Sequence, residues 1–277
     1  MHAQRPIASL ITHVALFPLA LVFAAPLLWT ITSSLADPRS IWAGSYNPWI
    51  PTQLYVRNYT EAWSTAPFGT FFINSVLVNS GIVLGQIITA TLAAYAFARM
   101  RFRGNNLLFL LFVTQMMMPI QATFVSNYFT MQELGLLDTR IALILPYIAT
   151  GYGTFLLRQT FKTVPRELED AALIDGCGSL RFLWHVLFPL ARPTVVALAI
   201  ISLITHWNEY FWPLIITNSN AVRTLPIGLG MFAGQESGAD ITLIMAATSF
   251  VCLPMLIVFL ICQRRFIQSF MFSGITS

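Results

Sequence analysis

The sequence predicts an all-α integral membrane protein with six transmembrane helices, and three observations carry that expectation. Only 9% of its 277 residues are charged and 56% are hydrophobic, whereas a soluble domain carries about 25% charged residues. Six stretches, one interrupted once by Glu209, approach the roughly 20 apolar residues that a helix needs to cross a bilayer. The basic residues also fall unevenly between alternate connections. A polytopic chain of this length is one membrane domain, so the soluble prior on domain size does not apply.

The helices are expected at about 9–34, 70–97, 106–128, 140–160, 190–217 and 242–263. The first is too long for a signal-peptide core and lacks a small-residue cleavage pattern, so it should remain as a membrane helix. Pro18 and Pro26 predict kinks in it, which neighbouring helices can tolerate. The segment 35–69 that follows carries Trp42, Tyr46, Trp49, Tyr55, Tyr59 and Trp63. It fits either an aromatic belt at the membrane surface or a docking surface for an external partner.

The second helix contains Gly81-Ile-Val-Leu-Gly85, a small-residue face that lets another helix approach closely. The third carries Gln115, Met116, Met117, Met118, Gln121 and Asn127. Three consecutive methionines cover most of a turn and fit core packing better than a ligand box. The amides must find partners in a low-dielectric setting and could line a path. The fourth helix is short and reaches full length if Arg158 snorkels. The fifth contains Glu209, with His206 and Asn208 beside it. An ionisable group inside a span is a functional-site hypothesis by default.

With the amino terminus inside, the inner segments hold Arg5, Arg99, Arg101, Arg103, Arg158, Lys162, Arg166, Arg181, Arg192, Arg264 and Arg265. The outer segments hold Arg39, Arg57, Arg140 and Arg223. This bias places both termini in the cytoplasm. The basic residues form no stripe suited to nucleic acid. Cys177, Cys252 and Cys262 lack metal-ligand spacing and read as free thiols. No metal site is expected.

One hydrophilic island stands apart. Arg166, Glu167, Glu169 and Asp170 lie within five residues, and each would cost roughly 2.5–3.5 kcal/mol at a bilayer centre. Pro165 suits a first helical turn, and the three acids favour that helix's positive end. Leu168, Ala171, Ala172 and Asp175 share a face, and Gly176 can end the helix in a left-handed conformation. Ser179 is a plausible N-cap for a second helix with Leu180, Leu183, Trp184 and Leu187 on its apolar side. Pro189 and Pro193 mark the return to the fifth span. An acidic helix is repelled by anionic lipid, so the island reads as a surface for docking another protein.

The run Asp170-Ala171-Ala172-Leu-Ile-Asp175-Gly176, nine residues, then Val186-Leu-Phe-Pro189 resembles the EAA signature of ABC importer permeases. Gly135-Leu-Leu-Asp-Thr139, Leu145-Pro146-Tyr147, Phe155-Leu-Leu-Arg158, Pro165-Arg-Glu-Leu168 and Trp207-Asn-Glu-Tyr-Phe-Trp-Pro213 are similar to the carbohydrate-uptake branch, the maltose and glycerol-3-phosphate permeases. The resemblance covers about residues 10–272. It departs from the pattern at Asp170, which stands in the first Glu position, and mildly at Val186.

The resemblance implies a type I ABC importer permease fold with a cytoplasmic coupling helix, in a bacterial or archaeal cytoplasmic membrane. It implies a first helix and outer segment at 1–69, a core of five helices at 70–265 with the coupling loop at 161–190, and a tail at 266–277. Glu167, Glu169, Asp170, Ala171, Ala172, Asp175, Gly176 and Pro189 would couple to a dimeric cytoplasmic ATPase. Gln121, Asn127, Tyr152, Asn208 and Glu209 are candidates for a translocation path. A second permease subunit, an external substrate-binding protein and a sugar-like substrate complete the implied system. The outer segment 218–241, with Gly228, Gly230, Gly234 and Gly238, suits contact with that binding protein.

The sequence has no G-x-x-x-x-G-K-[ST] loop and no assembled catalytic set. The chain is expected to be neither an enzyme nor a cofactor carrier, with ATP used by a partner. The alternative is a proton-coupled secondary transporter that uses Glu209.

Overall fold

The computed structural model describes residues 6–42, 44, 47, 54–233 and 240–273, with side chains at 12–40, 44, 47, 54–232 and 240–263. Tyr46, Trp49, Gly234, Gly238, Arg5, the end of the tail, and the side chains of Trp42, Arg264 and Arg265 lie outside the described residues. All regular elements among the described residues are helical. The chain divides into two compact units, residues 1–68 with 228–256, and residues 69–227 with 257–277.

In the first unit, α1 (Pro6–Ser34) carries the stretch Thr12–Ser34, and α12 (Ile241–Ser273), which runs on into the second unit, carries Ile241–Gln263; both stretches are long and apolar enough to span a bilayer. The turn after α1 is held from α2 (Arg57–Thr65): buried Asn58 donates through Nδ2 to the carbonyls of Ser34 and Ala36, at 2.9 and 2.8 Å. Tyr59 and Trp63 pack their rings edge-on against Phe250 at 5.8 and 5.2 Å. These two members of the aromatic segment therefore pack within the chain.

In the second unit, α3 (Phe68–Arg99) runs 32 residues. Gly81 and Gly85 let it approach the 144–148 segment. A Cβ at Gly81 would stand 2.7 Å from Ile144 Cδ1, and one at Gly85 would stand 2.8 Å from Ile148 Cγ2. The small face thus serves packing within the chain. Gly85→Ala is expected to cost about 1–3 kcal/mol by overpacking, read as a lower unfolding temperature in detergent.

Two of the expected helices are broken. The third becomes α4 (Asn105–Thr114) and α5 (Phe124–Glu133), whose flanking segments turn through 101° about Met118-Pro119. Met118 is extended (φ −83°, ψ 128°), as steric conflict with a following proline demands. The methionines are exposed rather than packed in this chain, Met117 at 84%. The fifth stops at Trp207 in α10 (Arg192–Trp207) and resumes as α11 (Phe211–Ile216). In an unbroken helix Pro213 would clash with the Glu209 carbonyl four residues back and leave it without a donor. Glu209 therefore sits in a break between helices, and its Oε1 accepts from Trp212 N at 3.3 Å.

The fourth span is also bent, by 47°, between Arg140–Tyr147, which opens with α6 (Arg140–Ile144), and α7 (Gly151–Thr163). Thr150 caps α7 by accepting from Gly153 N at 3.2 Å. The carbonyls freed at the bend are met from α3: Gln86 Nε2 donates to Tyr147 O at 2.8 Å and Thr89 Oγ1 donates to Ile148 O. Arg158 does not snorkel. It is buried, donates to Phe97 O at 3.2 Å and stacks its guanidinium 3.7 Å over Phe109, so a cation–π contact takes the place of water.

At the far end of the third span, Asp138 adopts a left-handed conformation (φ 56°). Its Oδ1 accepts from the backbone N–H groups of Asn218 and Ser219, at 2.9 and 3.0 Å. The hydrogen bond from Ser219 leads the causes that hold its carboxyl below the usual carboxylate range. The clamp is therefore complete above the unfolded-state pKa and is lost as pH falls through the lower folded-state value. Asp138→Asn should flatten the acid limb of the stability profile, as followed by thermal unfolding between neutral and acidic pH.

Candidate functional site

The island forms α8 (Glu167–Ile174), with Glu167, Glu169 and Asp170 in its first turn. Its end is a Schellman motif: Cys177 N donates to Ala172 O at 2.8 Å and Gly176 N to Leu173 O at 3.0 Å, with Gly176 at φ 74°. The left-handed residue satisfies carbonyls that would otherwise be orphaned. The chain then enters α9 (Ser179–Leu190), which contains Pro189 and a widened turn at Leu183–Leu187. Gly178, rather than Ser179, is the N-cap.

The faces differ from the sequence expectation. Ala172 and Cys177 turn inward against a core of Ala90, Ala94, Leu157, Phe161, Leu183 and Leu187. Phe182 joins that core, whereas Leu180 and Trp184 remain exposed. Glu169 turns inward as well, while Glu167, Leu168, Asp170, Ala171 and Asp175 face outward. Helical spacing alone could not fix this rotation, because acids and alanines flank it on both sides.

Arg99, at the end of α3, explains where Glu169 points. Its side chain is only 3% exposed, and Nη1 lies 3.5 Å from Glu169 Oε2. Nη2 donates to the carbonyls of Phe161 and Val164 at 2.7 and 2.6 Å. One guanidinium thus joins the ends of α3 and α7 to α8, and its fork geometry allows it to serve several acceptors together. In the sequence Arg99 was one basic residue in a topology-setting cluster, and nothing in its spacing pointed to this role. What α8 leaves outward is a surface of carboxylates among apolar side chains, with Ile174 87% exposed.

A separate cavity of about 500 Å³ lies among α3, the 115–123 segment, α5, the 146–150 segment, α7 and α10. Its polar lining consists of amides, hydroxyls and one imidazole, including Gln86, Gln115, Asn127, Tyr152, Thr205 and His206. None of its lining residues is Asp, Glu, Lys or Arg. The 101° turn of the third span puts Gln115 and Asn127 in the same wall. Among the sequence candidates, Asn127 and Tyr152 line this cavity, while Gln121 and Asn208 do not. Asn208 instead donates to Ile204 O at 2.8 Å. Glu209 lines a different, much smaller cavity. Thr150 and Thr205 carry no sequence signal and Gln86 only that of an amide inside a span, since only the folded chain brings the three to one place.

In the second unit, one helix of membrane-spanning length and three bent apolar helix pairs, with an uncharged polar cavity among them and one acidic helix outside them, have the make-up of a membrane transport component. The chain belongs to the family of binding-protein-dependent transport system inner membrane components, whose model matches residues 86–271. It is 33% identical over 260 residues to the sn-glycerol-3-phosphate transport system permease protein UgpE of Yersinia pestis, covering 91% of this chain and 89% of that one. It is 31% identical over 275 residues to UgpE of Shigella flexneri, covering 97% and 98%. A bacterial ABC transporter that imports the acidic polysaccharide alginate has a chain of the same fold, with TM-score 0.83, 21% identity and coverage of 95% and 98%. A second structure of the alginate transporter, with a pentasaccharide-bound periplasmic protein, matches at TM-score 0.65 and 13% identity, covering 95% and 99%. Family membership favours the ABC permease reading and sets aside the proton-coupled carrier.

Proposed function

We propose that the chain is the permease subunit of an ATP-driven importer for a sugar or sugar-like polyol, acting with a second permease chain, a dimeric cytoplasmic ATPase and an external binding protein. The observation that carries this reading is the outward surface of α8. Its carboxylates and Ile174 are presented at the end of a helix braced from behind by Arg99. An ATPase groove that closes on this surface moves α8, and the brace passes the motion to α3 and α7. ATP and the loaded binding protein each shift the population only by favouring one state. In this topology both termini and α8 are cytoplasmic. Asp170, Ala171 and Asp175 make the contact, and Glu169 positions them.

The cavity supplies the substrate reasoning. Amides and hydroxyls can exchange hydrogen bonds with a hydroxyl-rich solute, and Tyr152 offers an aromatic face. The uncharged lining suits a neutral sugar, while the UgpE relatives are named for sn-glycerol-3-phosphate.

The test is co-purification with the cognate ATPase. Asp170→Lys combined with Ile174→Asp reverses one charge and removes an apolar anchor on the outward surface. ATPase recovery should fall at least tenfold while the two permease chains stay together. An intact complex with unchanged substrate-stimulated ATPase activity would rule out coupling through α8.

A further inference from the structure

A second cavity in the same unit has room for about one water-sized sphere, near 10 Å³, and is lined by α3, the 140–147 segment, the end of α10, Glu209 in the break that follows, the start of α11, and Thr224. Six buried side-chain polar atoms among the described residues have no hydrogen-bond partner. Three of them, Asn79 Oδ1, Tyr147 Oη and Thr224 Oγ1, belong to residues lining this one cavity. Asn79, Tyr147 and Thr224 are 3%, 6% and 5% exposed. Glu209 lines the cavity too, with Oε1 engaged by Trp212 N.

We propose that this cavity is a built site for a single bound water that bridges Asn79, Tyr147, Thr224 and Glu209. The donor and acceptor count decides the ligand. Asn79 Nδ2 donates to Ser75 O at 2.9 Å, which leaves Oδ1 as a pure acceptor. The Glu209 carboxylate is a second acceptor, and the Tyr147 and Thr224 hydroxyls each carry a proton to donate. A water offers two protons and two lone pairs, so it satisfies all four groups at once, within the two to four partners a buried water usually has. A monovalent cation accepts lone pairs only, and the two hydroxyl protons would compete with it for the same acceptors. Ser75 Oγ, in the same wall, already accepts from Leu225 N at 2.9 Å.

The site gives Glu209 a role that its position in the sequence left open. It is an acceptor in a polar node rather than a carrier of protons. Tyr147 and His206 line both cavities, so the water holds the wall of the larger one in place. The effect on uptake rests on the larger cavity being the path; the water site itself does not.

The test has a structural and a functional arm, both on the assembled transporter. At a resolution that shows ordered water, one density is expected at about 2.7–3.0 Å from the four groups, unchanged between sodium and choline buffers. Glu209→Gln keeps an acceptor and should restore uptake to at least half, whereas Glu209→Leu and Asn79→Leu should each lower it at least fivefold. Density in the wild type with normal uptake in Asn79→Leu would support the site and count against the larger cavity as the path. No density, sodium-dependent density with markedly shorter contacts, or loss of the density in Glu209→Gln, which keeps an acceptor, would overturn the proposal.

Discussion

Arg99→Ala is expected to lower uptake at least tenfold while the ATPase still associates with the permease. The substitution removes the guanidinium that binds the carbonyls of Phe161 and Val164 and the carboxylate of Glu169. The contacting surface on Asp170 and Ile174 is untouched, so docking survives and transmission fails. A buried hydrogen bond to a charged group contributes about 1.5–3 kcal/mol, enough to loosen α8 from the ends of α3 and α7. Arg99→Lys reaches fewer of the three acceptors and should fall between alanine and wild type. The measurement pairs solute uptake into proteoliposomes with ATP hydrolysis, so that a raised ratio of hydrolysis to uptake marks the loss of coupling. Parallel falls in hydrolysis and uptake would instead point to a simple loss of assembly.

Thr205→Trp is the second change with a large expected effect. Thr205 lines the 500 Å³ cavity from α10, and an indole there fills space that a hydroxyl-rich solute would need. Uptake should fall at least a hundredfold, with the complex purifying whole and α8 still docked, whereas Thr205→Ser should behave close to wild type. Normal uptake in Thr205→Trp would show that solute does not pass this cavity. Asn127→Leu, which removes one amide without filling the cavity, should raise the KM for uptake more than it lowers the maximal rate.

The broad features were legible because they rest on local rules. Apolar length marks membrane spans, and charge density marks the island. The proline and glycine positions around α8 anticipated its termini, down to the left-handed Gly176. The breaks at Met118-Pro119 and around Glu209 had their signal in Pro119 and Pro213. Composition counts pass over such bends, because a window of hydropathy does not register a lost backbone donor. Glu209 looked like an intramembrane charge within a helix for the same reason.

The sequence by itself determined that the chain is a helical membrane protein with one short acidic helix between its spans, since hydropathy, charge and turn chemistry act over a few residues. Tertiary structure alone decided which side of that helix faces inward, because the partner that turns Glu169 is Arg99, 70 residues earlier in the chain. It also decided what the polar side chains of the spans do. Asn127 and Tyr152 share a cavity with Gln86 and Thr205, while Glu209 lines a small cavity with Asn79, Tyr147 and Thr224. These groups come from segments far apart in the sequence and meet where the bends of 101° and 47° and the break at Glu209 redirect the backbone, a long-range consequence that no local pattern encodes.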